Sequence, residues 1–247
     1  MWRPCLLAAW IVILASCTPP RMQPEQYGAM REVMREGKTE ARVTVCDVAG
    51  DRSRFGVGAL EGLGGEVTID AGEVWVSRVS RVDAGKPVTT GPRCMPTDRA
   101  TLLSIGSIDH PVTSTIDVAV ANESLDDAIA RAGAAGGAGR GPFMFAIDAT
   151  ATAIRAHVIA GSCAHADPDA EALRLSIDSP LVVRVVGLYA EGAPGILTHH
   201  GSRLHMHAIL TFEGERMTAH VDSISLAAGA RLTVPGMVRG AQAPAGD

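Results

Sequence analysis

Apolar and polar side chains alternate along most of this chain, in short runs parted by glycine- and aspartate-rich breaks. A strand sends successive side chains to opposite faces, so such runs read as strands with one buried face. The pattern predicts strands over 41–46, 55–60, 66–69, 73–79, 143–147, 149–159, 181–189, 216–226 and 230–234, with another carrying His205 and His207 up to a turn at Glu213. Residues 170–177 fit a short helix or a strand, and 163–171 a polar turn. Helical spacing also appears in two other places. Tyr27, Met30, Val33 and Met34 share one side of a helix over 26–37, and Leu125, Ile129 and Ala132 one side of a helix starting near Glu123 that Asn122 would cap. Residues 83–98, rich in Gly, Pro and Thr, read as a loop, and the glycine run from 133 as a junction.

These elements predict a strand-rich α/β fold of the α+β kind: two mixed β-sheet halves fused into one unit, with helices covering sheet faces. The halves span residues 26–132 and 141–235, and 236–247 form a flexible tail. A chain of 247 residues, 47% hydrophobic and 20% charged, supports one large core and excludes a disordered or fibrous protein. The formal net charge of -5, without a basic stripe, argues against a nucleic-acid partner.

The first residues change the picture. A short basic opening precedes an apolar stretch over 5–13, and Leu14-Ala15-Ser16-Cys17 matches the bacterial lipobox. The stretch is too short to span a bilayer, so residues 1–16 read as a lipoprotein signal peptide, Cys17 as the lipidated residue and 17–25 as a tether. An exported protein anchored to a bacterial membrane and facing the periplasm follows. The lack of Asp immediately after Cys17 favours the outer membrane. Cys46, Cys94 and Cys163 then remain, so at most one disulfide forms within the chain, and the sequence leaves the pair open.

The candidate chemistry lies in the run from Arg203 to Val221. His205 and His207 fall on one strand face, Leu204 and Met206 on the other, and Glu213-Gly214-Glu215 reads as a hairpin turn that returns His220 alongside. Three imidazoles on adjacent strands supply three ligands to a zinc-like ion and leave a position for water or substrate. Asp222, on the same strand face as His220, is placed to orient an imidazole or to serve as an exposed strand-end acid. His199 and His200 read as a loop pair, while His110, His157 and His165 lack ligand spacing.

Upstream stands Phe55-Gly-Val-Gly-Ala-Leu-Glu-Gly-Leu-Gly-Gly-Glu66-Val-Thr-Ile-Asp. Taken with the His-x-His…His hairpin, this stretch resembles the acetolactate decarboxylase family, in which a glycine-rich Gly-Glu element precedes a strand and the histidines lie near the C-terminal end. Phe143 to Ile147 and Gly187-Leu-Tyr also look like family landmarks. The resemblance implies Zn2+, or another divalent transition metal, on His205, His207 and His220. It implies Glu66 as a carboxylate that handles protons or adds a ligand, and Arg155 as the pocket arginine. It further implies conversion of 2-acetolactate, or a related 2-hydroxy-3-oxo acid, to acetoin, with the metal stabilising the negative charge left by loss of carbon dioxide.

The chain departs from the family pattern at Ala59, where a threonine is usual, at Gly64, where an acid is usual, and in a longer turn between the second and third histidines. Residues 236–247 hold no glutamate to match the family's late C-terminal one. Three functions therefore stand side by side: a decarboxylase, a divergent zinc hydrolase, and a non-catalytic metal- or ligand-binding lipoprotein. The partners expected are a small hydroxy-keto acid and the membrane through the lipid anchor, and the sequence allows a homodimer.

Overall fold

The computed structural model describes residues 23–79, 87–139, 141–161, 172–193, 196–198 and 202–237. Its first sheet holds β1 (Glu25–Tyr27), β2 (Val43–Thr44), β3 (Arg54–Leu60), β4 (Glu66–Asp70), β5 (Glu73–Val79), β6 (Pro87–Thr90) and β7 (Arg99–Ser107). They lie in the order β1-β7-β3-β4-β5-β6, with β2 also on β7. The second sheet holds β8 (Val112–Ile116), β9 (Val120–Ala121), β10 (Phe143–Val158), β11 (Leu173–Ile177), β12 (Leu181–Tyr189), β13 (Leu204–Phe212), β14 (Glu215–Leu226) and β15 (Ala230–Val234). Its order is β8-β15-β10-β12-β13-β14-β9, with β11 on β10. The long β10 pairs with β12 through its first half and with β14 through its second, closing β10, β12, β13 and β14 into a ring. Helices α1 (Met30–Glu36), α2 (Val45–Ala49) and α3 (Asn122–Gly136) complete the fold.

Alternation explains the layering. Val67, Ile69, Val74 and Val76 point away from the second sheet and bury Val45 and Ala49 of α2. Phe143, Phe145, Ile147, Val183 and Val185 pack on the far side of the second sheet with Leu125 and Ile129 of α3. Between the sheets, Phe55 and Val57 meet Met144, Ala146, Val186 and Leu188. Each large apolar side chain buried in these layers contributes about 1.5–3 kcal/mol. Arg184 of β12 bridges the same gap, donating to Asp70 of β4 at 2.9 Å and to Asp148 of β10 at 2.9 Å.

Several expectations change. The described sheets pair only antiparallel strands, where mixed sheets were expected. Turns such as those between β4 and β5 or β13 and β14 are too short for a parallel crossover. The helix expected over 26–37 begins only at Met30, because residues 25–27 pair with β7. Gly28 makes the break at φ +73, where a Cβ would lie 2.3 Å from the Thr101 carbonyl oxygen. The strand expected over 41–46 stops at Thr44 and turns into α2, whose Val45 and Ala49 find their burial as a helix. The loop expected over 83–98 contains β6, which extends the sheet from β5.

The glycine run expected to break the chain at 133 instead continues α3 to Gly136, and Gly137 caps it at φ 95. Asn122 does not cap that helix; its Oδ1 accepts from the Ile224 N–H. Because β8, β9 and α3 all serve the second sheet, the sheets change over between Ser107 and Val112. Residues 170–177 resolve into strand β11, and the paired runs after residue 142 into the single β10. The start of the tail is tied down, Gly236 donating to Asp109 and Met237 to Gly136. Cys46 and Cys94 form a disulfide, a pairing the sequence leaves open, with Cα atoms 5.5 Å apart. The signal peptide, Cys17, Cys163, His165, His199, His200 and residues 238–247 lie outside the described residues.

Candidate metal centre

The histidine hairpin forms as its pattern requires. Glu213 and Gly214 take φ 50 and 84, the paired left-handed conformation of a two-residue turn that matches the twist of its flanking strands. That turn sets His207 directly opposite His220. Leu204, Met206, Ala208 and Leu210 enter the core beneath, so His205 and His207 face the first sheet. All three rings are buried, His207 completely. Their centroids stand 5.2–5.4 Å apart, and one ligand nitrogen from each lies within 4.8 Å of the others.

This donor set fits a zinc-like ion. Nitrogens each bound at about 2.1 Å to one ion lie at most about 4.2 Å apart, so small ring rotations close the set. Imidazole suits zinc, copper, iron and nickel, and three ligands leave an open position.

Glu66 arrives from the first sheet. On β4 the odd residues Val67 and Ile69 face α2, so Glu66 and Thr68 face the histidines. The buried Glu66 carboxylate places Oε2 3.5 Å from His207 Nε2, and the Ile159 N–H donates to Oε1 at 3.3 Å. Thr68 Oγ1 lies 3.1 Å from His207 Nδ1 and hydrogen-bonds Thr218 Oγ1 of β14. The Thr218 N–H donates to Ser77 Oγ of β5 at 2.9 Å. Sequence reading missed Thr68, Ser77 and Thr218. A signal was present, since Thr68 is two residues past Glu66 and Thr218 two before His220, each on the same strand face.

His157 is the larger surprise. It is buried on β10 directly opposite His220, with the two ring centroids 4.9 Å apart. His207, His220 and His157 therefore form a row across three neighbouring strands. Asp222 holds the His157 Nδ1–H at 2.9 Å, so this acid orients an imidazole. Asp222 has no opposite residue in β10, where the register slips between Arg155 and Ala156; such bulges re-aim side chains. Arg155 is not brought into the centre. Its guanidinium pairs with Asp178 at 2.8 Å, reaches the Ile177 carbonyl and remains half-exposed. His110 is exposed on the turn before β8.

No family model matches the chain, and no curated protein matches it. Solved structures do. An α-acetolactate decarboxylase from Bacillus subtilis strain 168 superposes with a TM-score of 0.64 at 19% identity, covering 87% of this chain and 86% of its own. The acetolactate decarboxylase of Bacillus subtilis subspecies spizizenii gives 0.64 at 17%, covering 87% of each chain. A Staphylococcus aureus protein of unknown function, similar to α-acetolactate decarboxylase, gives 0.58 at 14% over 85% of this chain and 83% of its own. At these identities the likeness is one of architecture. The strand-rich, two-sheet arrangement that carries the imidazole cluster is thus the acetolactate decarboxylase fold.

Proposed function

We propose that this chain is a divergent acetolactate decarboxylase, a zinc-dependent carboxy-lyase acting on 2-acetolactate or a related 2-hydroxy-3-oxo acid. One observation carries the reading. On the decarboxylase fold, three buried imidazoles face a buried carboxylate 3.5 Å from one of their nitrogens. His205, His207 and His220 would hold the ion, which when bound supplies a Lewis acid for the negative charge developing on substrate oxygens.

The remaining chemistry belongs to the chain. The Ile159 N–H anchors Glu66 through Oε1, turning Oε2 toward the histidines. In the reaction the bond between the substrate's carboxylate and its hydroxyl-bearing carbon breaks, and carbon dioxide leaves. The electron pair left behind takes the proton held at Glu66 Oε2, which gives acetoin and a carboxylate that regains its proton from solvent. Apolar walls from Leu63 and Ile159, packed with Leu102, exclude bulk water from this end of the gap.

The test is acetoin release from acetolactate by zinc-loaded protein. Glu66→Gln should keep its zinc and slow turnover by about 100-fold or more. Full zinc occupancy without acetoin removes the decarboxylase reading. A second reading, a metal-dependent hydrolase, uses the same imidazoles and needs no pocket arginine, which the outward position of Arg155 leaves open; ester cleavage that disappears in His205→Ala would select it. The proposal extends to location: an exported lipoprotein anchored through Cys17, for which the Cys46–Cys94 disulfide fits an oxidising compartment. Cys17→Ala should then move the protein from the membrane to the soluble fraction.

A further inference from the structure

The first sheet supplies more to the centre than Glu66. Thr68 is fully buried two residues further along β4, with its hydroxyl between His207 Nδ1 and Thr218 Oγ1. A neutral imidazole has one N–H and one lone-pair nitrogen, whereas a hydroxyl donates once and accepts twice. For the neutral ring that metal binding requires, two orderings of these protons exist at the His207–Thr68 link. In one, His207 donates from Nδ1 to Thr68, and Thr68 donates onward to Thr218. Nε2 then carries the lone pair on the side where Glu66 Oε2 lies, 3.5 Å away. In the other, Thr68 donates to Nδ1, Nε2 is protonated, and the ring is lost as a ligand through that atom.

The surrounding bonds hold the hydroxyl in place. Thr218 is fixed by its own N–H to Ser77 Oγ at 2.9 Å, and Ser77 Oγ pairs with Thr89 Oγ1 of β6 at 3.0 Å. One imidazole of the second sheet is therefore steadied by hydroxyls from three strands of the first sheet and its own hairpin partner. Ligand histidines commonly donate their second ring N–H to an outer acceptor, which sets tautomer and ring angle.

We infer that Thr68 is a positioning residue that holds His207 in the Nδ1–H tautomer and presents Nε2 as the ligand atom. This rests on the metal-binding reading proposed above. Thr68 touches neither the ion nor the substrate, and acts only through His207. It also makes the centre a product of both sheets.

The test compares wild type, Thr68→Val and Thr68→Ser as full-length, metal-free proteins. Zinc affinity is measured by competition with a chromophoric chelator, and the His207 tautomer by nitrogen NMR. Thr68→Val, nearly the same shape without the hydroxyl, should lose about 10- to 100-fold in zinc affinity. Thr68→Ser should recover most of that loss. The metal-free wild type should show Nδ1–H at His207. Equal affinity of wild type and Thr68→Val overturns the inference, as does a Thr68→Ser variant no better than Thr68→Val. An Nε2–H tautomer in the metal-free wild type overturns it independently, even if Thr68→Val fails to fold. A wild type with Nδ1–H at His207 that takes up no zinc defeats the metal reading itself, and with it this inference.

Discussion

Two stretches of the gap between the sheets are built from opposite materials. At one, Phe55, Val57, Met144, Ala146, Val186 and Leu188 form an apolar seam. At the other, Glu66, Thr68, Ser77, His157, His205, His207, Thr218 and His220 are as deeply buried, yet every one is polar. The boundary is sharp: Val186 and His207 are cross-strand neighbours, as are Leu188 and His205. The apolar seam docks the sheets because removing its surface from water is favourable. The polar stretch gains little from burial and holds only because its groups complement one another. That contrast, a buried polar patch beside an apolar seam, is what the proposed function rests on.

The contrast is open to test by mutation. The largest effect is expected at His207→Ala, which should take zinc content to background in elemental analysis while lowering the metal-free melting temperature only modestly. Leu188→Ala should do the reverse, costing about 2–5 kcal/mol in denaturant unfolding through the cavity it leaves, with zinc still bound. Should His207→Ala cost as much metal-free stability as Leu188→Ala, the polar stretch would count as structural and the contrast would fail. Arg184→Met comes next. It leaves the part-buried Asp70 and the exposed Asp148 without their shared guanidinium, and a loss of about 1.5–3 kcal/mol in the same unfolding measurement is expected. Smallest should be Arg155→Ala. Its exposed pair with Asp178 is worth at most about 0.5–1 kcal/mol, and acetoin formation should be unchanged. A large drop in turnover for that variant would place Arg155 in the reaction after all.

Much of the centre was legible because its parts are local. The two-residue period puts His205 with His207, and a short turn forces His220 opposite, so neighbours in sequence decide the cluster. Glu66 was legible only through the glycine-rich stretch before it. His157 was not legible at all. It lies 63 residues before His220, and a lone histidine in an apolar strand says nothing about which strand will pair with it. The pairing of β10 with β14, with its bulge at Asp222, makes that choice and leaves Arg155 with Asp178. Similarly, 41–46 reads as strand by alternation, but Val45 and Ala49 are buried to better effect as one helical turn on the first sheet.

By itself, then, the sequence determined the strand-rich character, the hairpin and which of its side chains share a face. Backbone geometry enforces those properties within a few residues. Only the tertiary structure decided which cysteines join, which histidine completes the row of three and which hydroxyl steadies His207. Those choices depend on strands far apart in the chain being pressed together by the burial of the apolar seam beside them.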